Sequence, residues 1–386
     1  MKIMTSMYTL RKGGAYERFL MMLAALLEKG CEVHCLSLVP IPLKHPCYHN
    51  HPILFPFQGK NGWVAKSITL LLFPLYALLT GWREKVDLFI SFGPLYAFLQ
   101  AFPKWILKRP MVTFIRLDLT LGFKKRDIFN PFSFLNGMME YVGLLFTDRT
   151  LAVNTAIRQE IMKTVGRRKK MEVEVLSNDI PEIKRSSPED RLETRNGLGI
   201  PKQAKVLVTA GVLTPRKNVD VLLKSLSNLE IEDWFLLVIG DHPEQETSSY
   251  TNYLKALARK LDLGDKVIFK GWVQKEELWK ILGAADLFVM PSIKEGMPNV
   301  MLEAMGCGVA CFGSNIPGIR DILHHEILMF DPCDAESIVN KVRRFFSDTE
   351  YFNYVHELCR ERKRLFVFDW KGEVFHMVMK EIRSKG

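Results

Sequence analysis

Residues Leu287–Phe312 read LFVMPSIKEGMPNVMLEAMGCGVACF, and this stretch decides the fold. LFVM is a short, wholly apolar run, as a strand covered on both faces requires. Pro291–Met297 supplies the Pro, Gly and charge of a loop. Pro298 suits the first position of a helix, where its missing N–H costs nothing. An apolar helix over Pro298–Met305 follows, and Val309–Phe312 is strand-like again. Strand, loop, helix and strand in this order predict a parallel βαβ unit.

Outward from this unit the alternation continues. Lys205–Ala210, Trp234–Ile239 and Lys266–Phe269 read as strands, and Val219–Leu229, Tyr250–Leu261, Lys275–Leu282 and Glu336–Phe346 as helices. The N-terminal half repeats the pattern, with strands at Met1–Tyr8, Glu32–Leu38, Val86–Ser91, Met111–Leu117, Thr150–Val153 and Val173–Leu176. A helix over Tyr16–Lys29 follows the loop Leu10–Gly14. The polar stretch Pro181–Gln203 fits a boundary plus the entry helix of a second domain. The fold class is α/β, two Rossmann-like doubly wound domains. The expected division is 1–182 and 183–364, with a last helix near Trp370–Ile382, in 365–386, returning to the first domain. Such sheets bind ligands beyond the carboxyl ends of their strands.

A chain of 386 residues, 48% apolar and 25% charged, is globular and long enough for two cores. Its seven cysteines are odd in number and irregularly spaced, and no secretory pattern precedes them. A reducing cytoplasm is the expectation, with the inner face of the membrane as a possible station. Residues 1–180 hold 24 Lys+Arg and 13 Asp+Glu, a net of +11 against +10 for the whole chain. Two readings stay open: a face for an anionic membrane, or scattered solvated lysines. Nucleic acid is not expected, because no recognised binding motif accompanies the basic half. Trp63–Trp82 (WVAKSITLLLFPLYALLTGW) contains an apolar run too short to span a bilayer. It reads either as a core helix or as one lying in the bilayer interface with tryptophans at its ends. His45–His51 (HPCYHNH) reads as a proline-punctuated loop, and Arg167–Lys170 as a solvated turn. No metal site is expected.

The chemistry concentrates in two loops. After LFVM, Gly296 lets the backbone approach a ligand, and the free amides of the Met297–Val300 stretch, those of Met297, Asn299 and Val300 around Pro298, open a helix as an anion site. Glu295 and Glu303, spaced Glu-x₇-Glu, set two carboxylates around that site. Phosphate would repel them, so they suit neutral hydroxyls flanking the phosphates, on a sugar at one end and a ribose at the other. Gly211–Asn218 (GVLTPRKN) brings Arg216 and Lys217 from the neighbouring strand end. Two fixed cations stabilise a departing diphosphate more in the transition state than in the ground state. No Asp-x-Asp metal pair occurs, which agrees with charge neutralisation by amides and side-chain cations.

With these pieces in hand, Lys205–Asp348 resembles the donor domain of the retaining family 4 (group 1) glycosyltransferases. The segments that carry the likeness are AGVLTPRKNVDVLLKSL, LLVIGDHPE, KVIFKGWVQKEELWKILGAADLFVMPS, the Glu-x₇-Glu segment and VACFGSNIPGIRDIL. The resemblance implies the GT-B fold, two domains facing across a cleft, with a nucleoside diphosphate sugar as donor and no metal or other cofactor. It places Glu303 on the donor ribose, Glu295 on the transferred sugar, and Arg216 and Lys217 on the diphosphate. Gly211 belongs to that phosphate loop, and Gly271 to Val273 lie beside the base. Gly13 and Gly14 resemble the glycine loop that approaches the diphosphate from the first domain. The family's usual Arg after Gly211 is Val212 here, and Arg216 is expected to supply that charge. Where relatives carry a histidine, this chain has Arg116 and Asp118, weak acceptor-side candidates. The acceptor is expected to be lipid-linked or a cell-envelope glycan, with peripheral membrane association through the basic half. A nucleotide-sugar epimerase and a non-catalytic sugar-binding module remain the alternatives.

Overall fold

The computed structural model describes residues 1–7, 13–38, 40–53, 63–116, 131–166, 171–241 and 249–383, with backbone alone at 63–70 and 131–133. Two compact units result, Met1–Ser177 with Asp369–Gly386, and Asn178–Phe368.

The first unit is built on a seven-stranded, all-parallel sheet. Its elements run β1 (Lys2–Met7), α1 (Gly14–Glu28), β2 (Glu32–Ser37), β3 (Tyr48–Pro52), α2 (Trp63–Glu84), β4 (Leu88–Phe92), α3 (Pro94–Leu107), β5 (Met111–Ile115), α4 (Pro131–Phe146), β6 (Arg149–Ala152), α5 (Thr155–Thr164) and β7 (Glu172–Val175). The order β3-β2-β1-β4-β5-β6-β7 puts the direction switch between β1 and β4. Strands β4 and β5 are buried throughout, which explains runs that are apolar but for Ser91 and Thr113. The expected loop at His45–His51 is a partial misreading. Residues Tyr48–Pro52 form edge strand β3, in register with β2 from Val33↔Tyr48 to Ser37↔Pro52. Its polar side chains hide the strand from any search for apolar alternation, and an edge position tolerates Pro52.

The second unit continues with α6 (Pro188–Gly197), β8 (Lys205–Ala210), α7 (Val219–Leu226), β9 (Trp234–Ile239), α8 (Ser249–Lys260), β10 (Val267–Gly271), α9 (Lys275–Ala284), β11 (Leu287–Met290), α10 (Asn299–Gly306), β12 (Ala310–Ser314), α11 (Pro317–Leu323), β13 (Met329–Phe330), α12 (Ala335–Ser347) and α13 (Thr349–Arg364). The six parallel strands lie in the order β10-β9-β8-β11-β12-β13, so the switch falls between β8 and β11. Helix α6 starts on a capping box, Ser187 accepting from the Asp190 amide and Asp190 from the Ser187 amide. Helix α10 begins at Asn299, one residue later than expected. Pro298 is its N-cap, in extended rather than helical geometry.

The last helix, α14 (Trp370–Arg383), belongs to the first unit and packs on α1. Trp370 is fully buried there, with the Arg18 and Arg116 guanidinium groups 5.3 and 5.8 Å from its ring centre. Arg149, buried in β6, meets Glu172 and Glu174 of β7, and its Nε lies 3.5 Å from Glu381 of α14. A buried guanidinium without such partners would be strongly destabilising, so these carboxylates fasten the returning helix. The observed division, at 177/178 and 368/369, differs by a few residues from the expected 182/183 and 364/365. The reason is local. The Ile180 amide donates to Phe366 O, and a Cβ on Gly306 of α10 would touch Ile180 and Ile183.

Candidate functional site

Strands β8 and β11 are neighbours at the switch point, paired Leu287↔Leu207 and Phe288↔Val208. The chain leaves them toward opposite sides, so the loops after their carboxyl ends border a crevice. After β8 comes Gly211 and then a single 3-10 turn, Pro215–Lys217, carrying both basic residues. After β11 come Pro291–Pro298 and α10.

The structure joins these two loops through their charges. Lys217 Nζ donates to Glu295 Oε1 at 2.7 Å, and Arg216 Nη1 lies 3.3 Å from Glu295 Oε2. Arg216 Nη1 also donates to Lys294 O at 2.8 Å, and Arg216 O accepts from the Ile293 amide. Glu295 is 8% exposed, whereas the Arg216 side chain is 42% exposed. Burial alone would push the Glu295 carboxyl up. The Lys217 and Arg216 charges outweigh it and hold the group below the usual carboxylate range. Both cations are thus fixed at the loop that leads into α10.

Backbone details explain why this packing needs its small residues. At Gly211 φ is 144°, and an added Cβ would lie 2.9 Å from Lys217 Nζ, so the ammonium rests over a bare backbone. A Cβ on Gly240 would fall 2.2 Å from Gly211 O, and one on Gly318 would meet Gly296 O and Glu295 O at 2.2 and 2.4 Å. Glycines at the ends of β9 and in α11 therefore let the two loops close in. Asn218, at φ 57°, donates from Nδ2 to Pro291 O at 3.1 Å and to Pro332 O at 2.7 Å. Asn178 donates from Nδ2 to Met297 O and to Asn299 Oδ1, tying the incoming chain to the start of α10.

Sequence reasoning missed Asn178, Asn218, Gly240 and Gly318, whose partners lie 22 to 121 residues away. An asparagine in a loop gives no signal of what it will bridge.

No side chain caps the first turn of α10, which Met297, Pro298, Asn299 and Val300 open directly behind Gly296. Glu303 projects from the second turn. It is 5% exposed, and its Oε1 lies 3.5 Å from Lys275 Nζ of α9. Gly271 closes β10 at φ 70°, its carbonyl accepting from the Gly240 amide, and half-buried Val273 follows. Gly211, Gly240 and Gly271 thus end three adjacent strands along the same edge. A groove of about 570 Å³, lined by Arg191, Arg195, Lys205 and Asp286, opens at the opposite edge, by the amino ends of β8 and β11. Its two arginines already pair with Asp286, so we do not assign it to the chemistry.

The remaining candidates belong to the first unit. Gly13 caps α1 and Gly14 begins it, beyond the carboxyl end of β1 at that sheet's own switch point. Among the described residues, no atom beyond the chain neighbours comes within 4 Å of a Cβ placed on Gly13, so their packing does not explain the glycine. Arg116 is buried, donates to Leu176 O at 3.1 Å and lies over Trp370, contacts that hold the first unit together. Asp118 and Arg167–Lys170 lie outside the described residues.

The histidines of β3 form a cluster with β2. Glu32 Oε1 lies 3.2 Å from His34 Nε2 and 3.3 Å from His49 Nε2, and His34 Nδ1 is 3.0 Å from His51 Nε2. Glu84 completes a second group with His34 and His51. Lys2 already pairs with Glu32 and Arg83 with Glu84. Burial pushes the His34 and His51 rings down, toward the neutral form.

Comparison with known proteins bears on this geometry. Residues 190–362 match the family described as glycosyl transferases group 1. An uncharacterized glycosyltransferase of Methanocaldococcus jannaschii is 26% identical over 223 residues, 56% of this chain and 55% of that protein. The N-acetyl-alpha-D-glucosaminyl L-malate synthase of Bacillus anthracis is 25% identical over 272 residues, 69% and 68% of the two chains. The chain thus spans little more than half of the first relative. Among solved structures, Anabaena HepE in complex with UDP-glucose superposes with a TM-score of 0.78 at 18% identity, covering all of both chains. That likeness shows a shared fold, the GT-B class of paired Rossmann-like domains.

Proposed function

We propose that this chain, a member of the group 1 glycosyl transferases through residues 190–362, transfers a sugar from a nucleoside diphosphate sugar to an acceptor with retention of configuration, as family 4 does. The observation that carries the reading is the convergence of Arg216, Lys217 and the start of α10 at the switch point of the second sheet. In the transfer, the bond from the anomeric carbon to the diphosphate oxygen breaks and one to the acceptor oxygen forms. The acceptor proton passes to a leaving phosphate oxygen. Arg216 and Lys217 take up the charge that develops on the diphosphate, together with the amides of α10.

Their pairing with Glu295 gives that carboxylate a second task. It pre-orients both cations before a donor arrives, so little reorganisation remains for the transition state. When the diphosphate draws the cations toward itself, Glu295 is released to accept from the transferred sugar. Glu303 holds the ribose. In this reading Arg216, Lys217 and the α10 amides take on the diphosphate the part a metal plays elsewhere.

HepE is titled as a complex with UDP-glucose, which makes a uridine nucleotide the first donor to try. One relative is named a UDP-Gal:alpha-D-GlcNAc-diphosphoundecaprenol alpha-1,3-galactosyltransferase, which supports a lipid-linked acceptor. The proposed setting is the cytoplasmic face of a membrane. Thermal shift against a panel of UDP-, GDP- and ADP-sugars tests the donor reading, followed by Glu303→Ala on the best ligand. Undiminished nucleotide affinity in that variant would remove the ribose assignment.

A further inference from the structure

Helix α2 is apolar on two opposite faces. Phe73 and Ala77 are fully buried in the core of the first unit, while Leu71 (78% exposed), Leu75, Leu79 and Trp82 (71%) form a stripe at i, i+4, i+8 and i+11 on the other side. Helices α3 and α4 lie in the same layer and extend the surface. Phe102, Trp105 (64% exposed) and Ile106 are exposed on α3, and Phe134, Leu135 and Met138 on α4. The three helices pack side by side. A Cβ on Gly81 of α2 would fall 2.9 Å from Leu107 of α3, and one on Gly143 of α4 would strike the α3 backbone at Phe98 and Pro94. A monomeric soluble domain rarely leaves so broad an apolar area uncovered.

We infer that this three-helix face docks the first unit onto an anionic lipid bilayer. Among the described residues no helix is long and apolar enough to cross a membrane, so the surface lies in the interface and does not span it. The chemistry at its edge favours lipid over protein. Trp82 and Trp105 stand in the last turns of α2 and α3, at the end of these helices where Gly81 packs on Leu107. Lys108 and Arg109, both exposed, line a hollow of about 460 Å³ with Trp105 and Ile106, while Lys104 beside them pairs with Asp148. Indole rings beside ammonium and guanidinium groups match the headgroup level of a bilayer, with the leucines below it. Lys85, Lys108 and Arg109 are exposed just beyond the last residues of α2 and α3. A second copy is disfavoured, because a two-fold contact would bring the same basic edge against itself.

This extends the membrane setting proposed above but stands on the first unit alone, so it survives a failure of the donor assignment. The test is co-sedimentation of the full chain with phosphatidylcholine vesicles, with and without about one-third phosphatidylglycerol. Binding is expected at least tenfold stronger with the anionic lipid, and weaker at high salt. The double variant Leu75→Glu/Leu79→Glu should lose at least tenfold in partitioning while its melting curve stays cooperative. Lys108→Glu/Arg109→Glu, a change on the surface edge, should lose affinity for anionic vesicles alone. Thermal shift with UDP on the same samples reads the donor site separately. Wild-type protein that stays in solution, variants that bind as well as wild type, or a wild-type dimer that Leu75→Glu/Leu79→Glu makes monomeric would each overturn the assignment.

Discussion

Replacing Lys217 by Met tests the electrostatic design, because the ammonium has two separable tasks. In the unliganded protein it sits 2.7 Å from Glu295 Oε1, and both side chains are nearly buried, 11% and 8% exposed. Removing one partner of a buried pair costs about 3–5 kcal/mol when the other charge is stranded. Here Arg216 remains 3.3 Å from the second oxygen, so a loss of about 2 kcal/mol is the better expectation. For a unit of this size that lowers the melting temperature by about 4–8 °C. In catalysis no substitute is at hand. Losing one fixed charge on the departing diphosphate costs about 3–4 kcal/mol of barrier, a hundred- to thousandfold in rate. The assay is release of UDP from UDP-glucose, with and without acceptor, beside calorimetric melting. Adding Glu295→Gln to Lys217→Met should restore most of the stability, since the stranded charge is gone, and none of the rate. A Lys217→Met enzyme within about fivefold of wild type, or a double variant that regains activity, would refute the reasoning.

Gly211→Ala forces a methyl against the Lys217 ammonium at a φ of 144°, and should weaken UDP binding about tenfold by calorimetric titration, with a melting temperature lowered by several degrees. Trp370→Ala should cost about 3–5 kcal/mol and free α14 from α1, seen as faster amide exchange in both helices and not in the second unit. The His34 and His51 pKa values are lowered by burial, so the neutral forms favour the folded state. That stability is present above the ordinary value of 6.5 and is lost as pH falls below it, so first-unit melting should drop as the pH is taken below 6.5. Glu295, also held low, contributes stability above its ordinary 4.5 that is lost only at more acid pH, so the second unit should melt later in an acid titration.

The doubly wound sheets were legible because buried parallel strands must be apolar throughout. Lys205–Ala210, Trp234–Ile239 and Leu287–Met290 stand in the structure with the bounds their composition predicts. Strand β3 was not, since YHNHP on a sheet edge owes its conformation to backbone pairing with β2 and not to its side chains. Helix α13 was missed as well: only Asp348 separates it from α12, serving as C-cap of one and N-cap of the other, and no Gly or Pro marks the break. At the candidate site, residue types and loop positions named Glu295, Arg216 and Lys217. Their mutual pairing could not be read from them, because two cations and a carboxylate 78 or 79 residues apart meet only once β8 and β11 are neighbours. Arg116 was named because relatives carry a histidine at its place, and its packing over Trp370, 254 residues on, could not be read from that likeness.

The most direct measurement is a crystal structure of the chain soaked with UDP. The account predicts the diphosphate against the amides of Met297, Asn299 and Val300, within hydrogen-bond distance of Arg216 and Lys217, with both side chains withdrawn from Glu295 and the ribose on Glu303. A nucleotide bound elsewhere, with Arg216 and Lys217 still on Glu295, would contradict it.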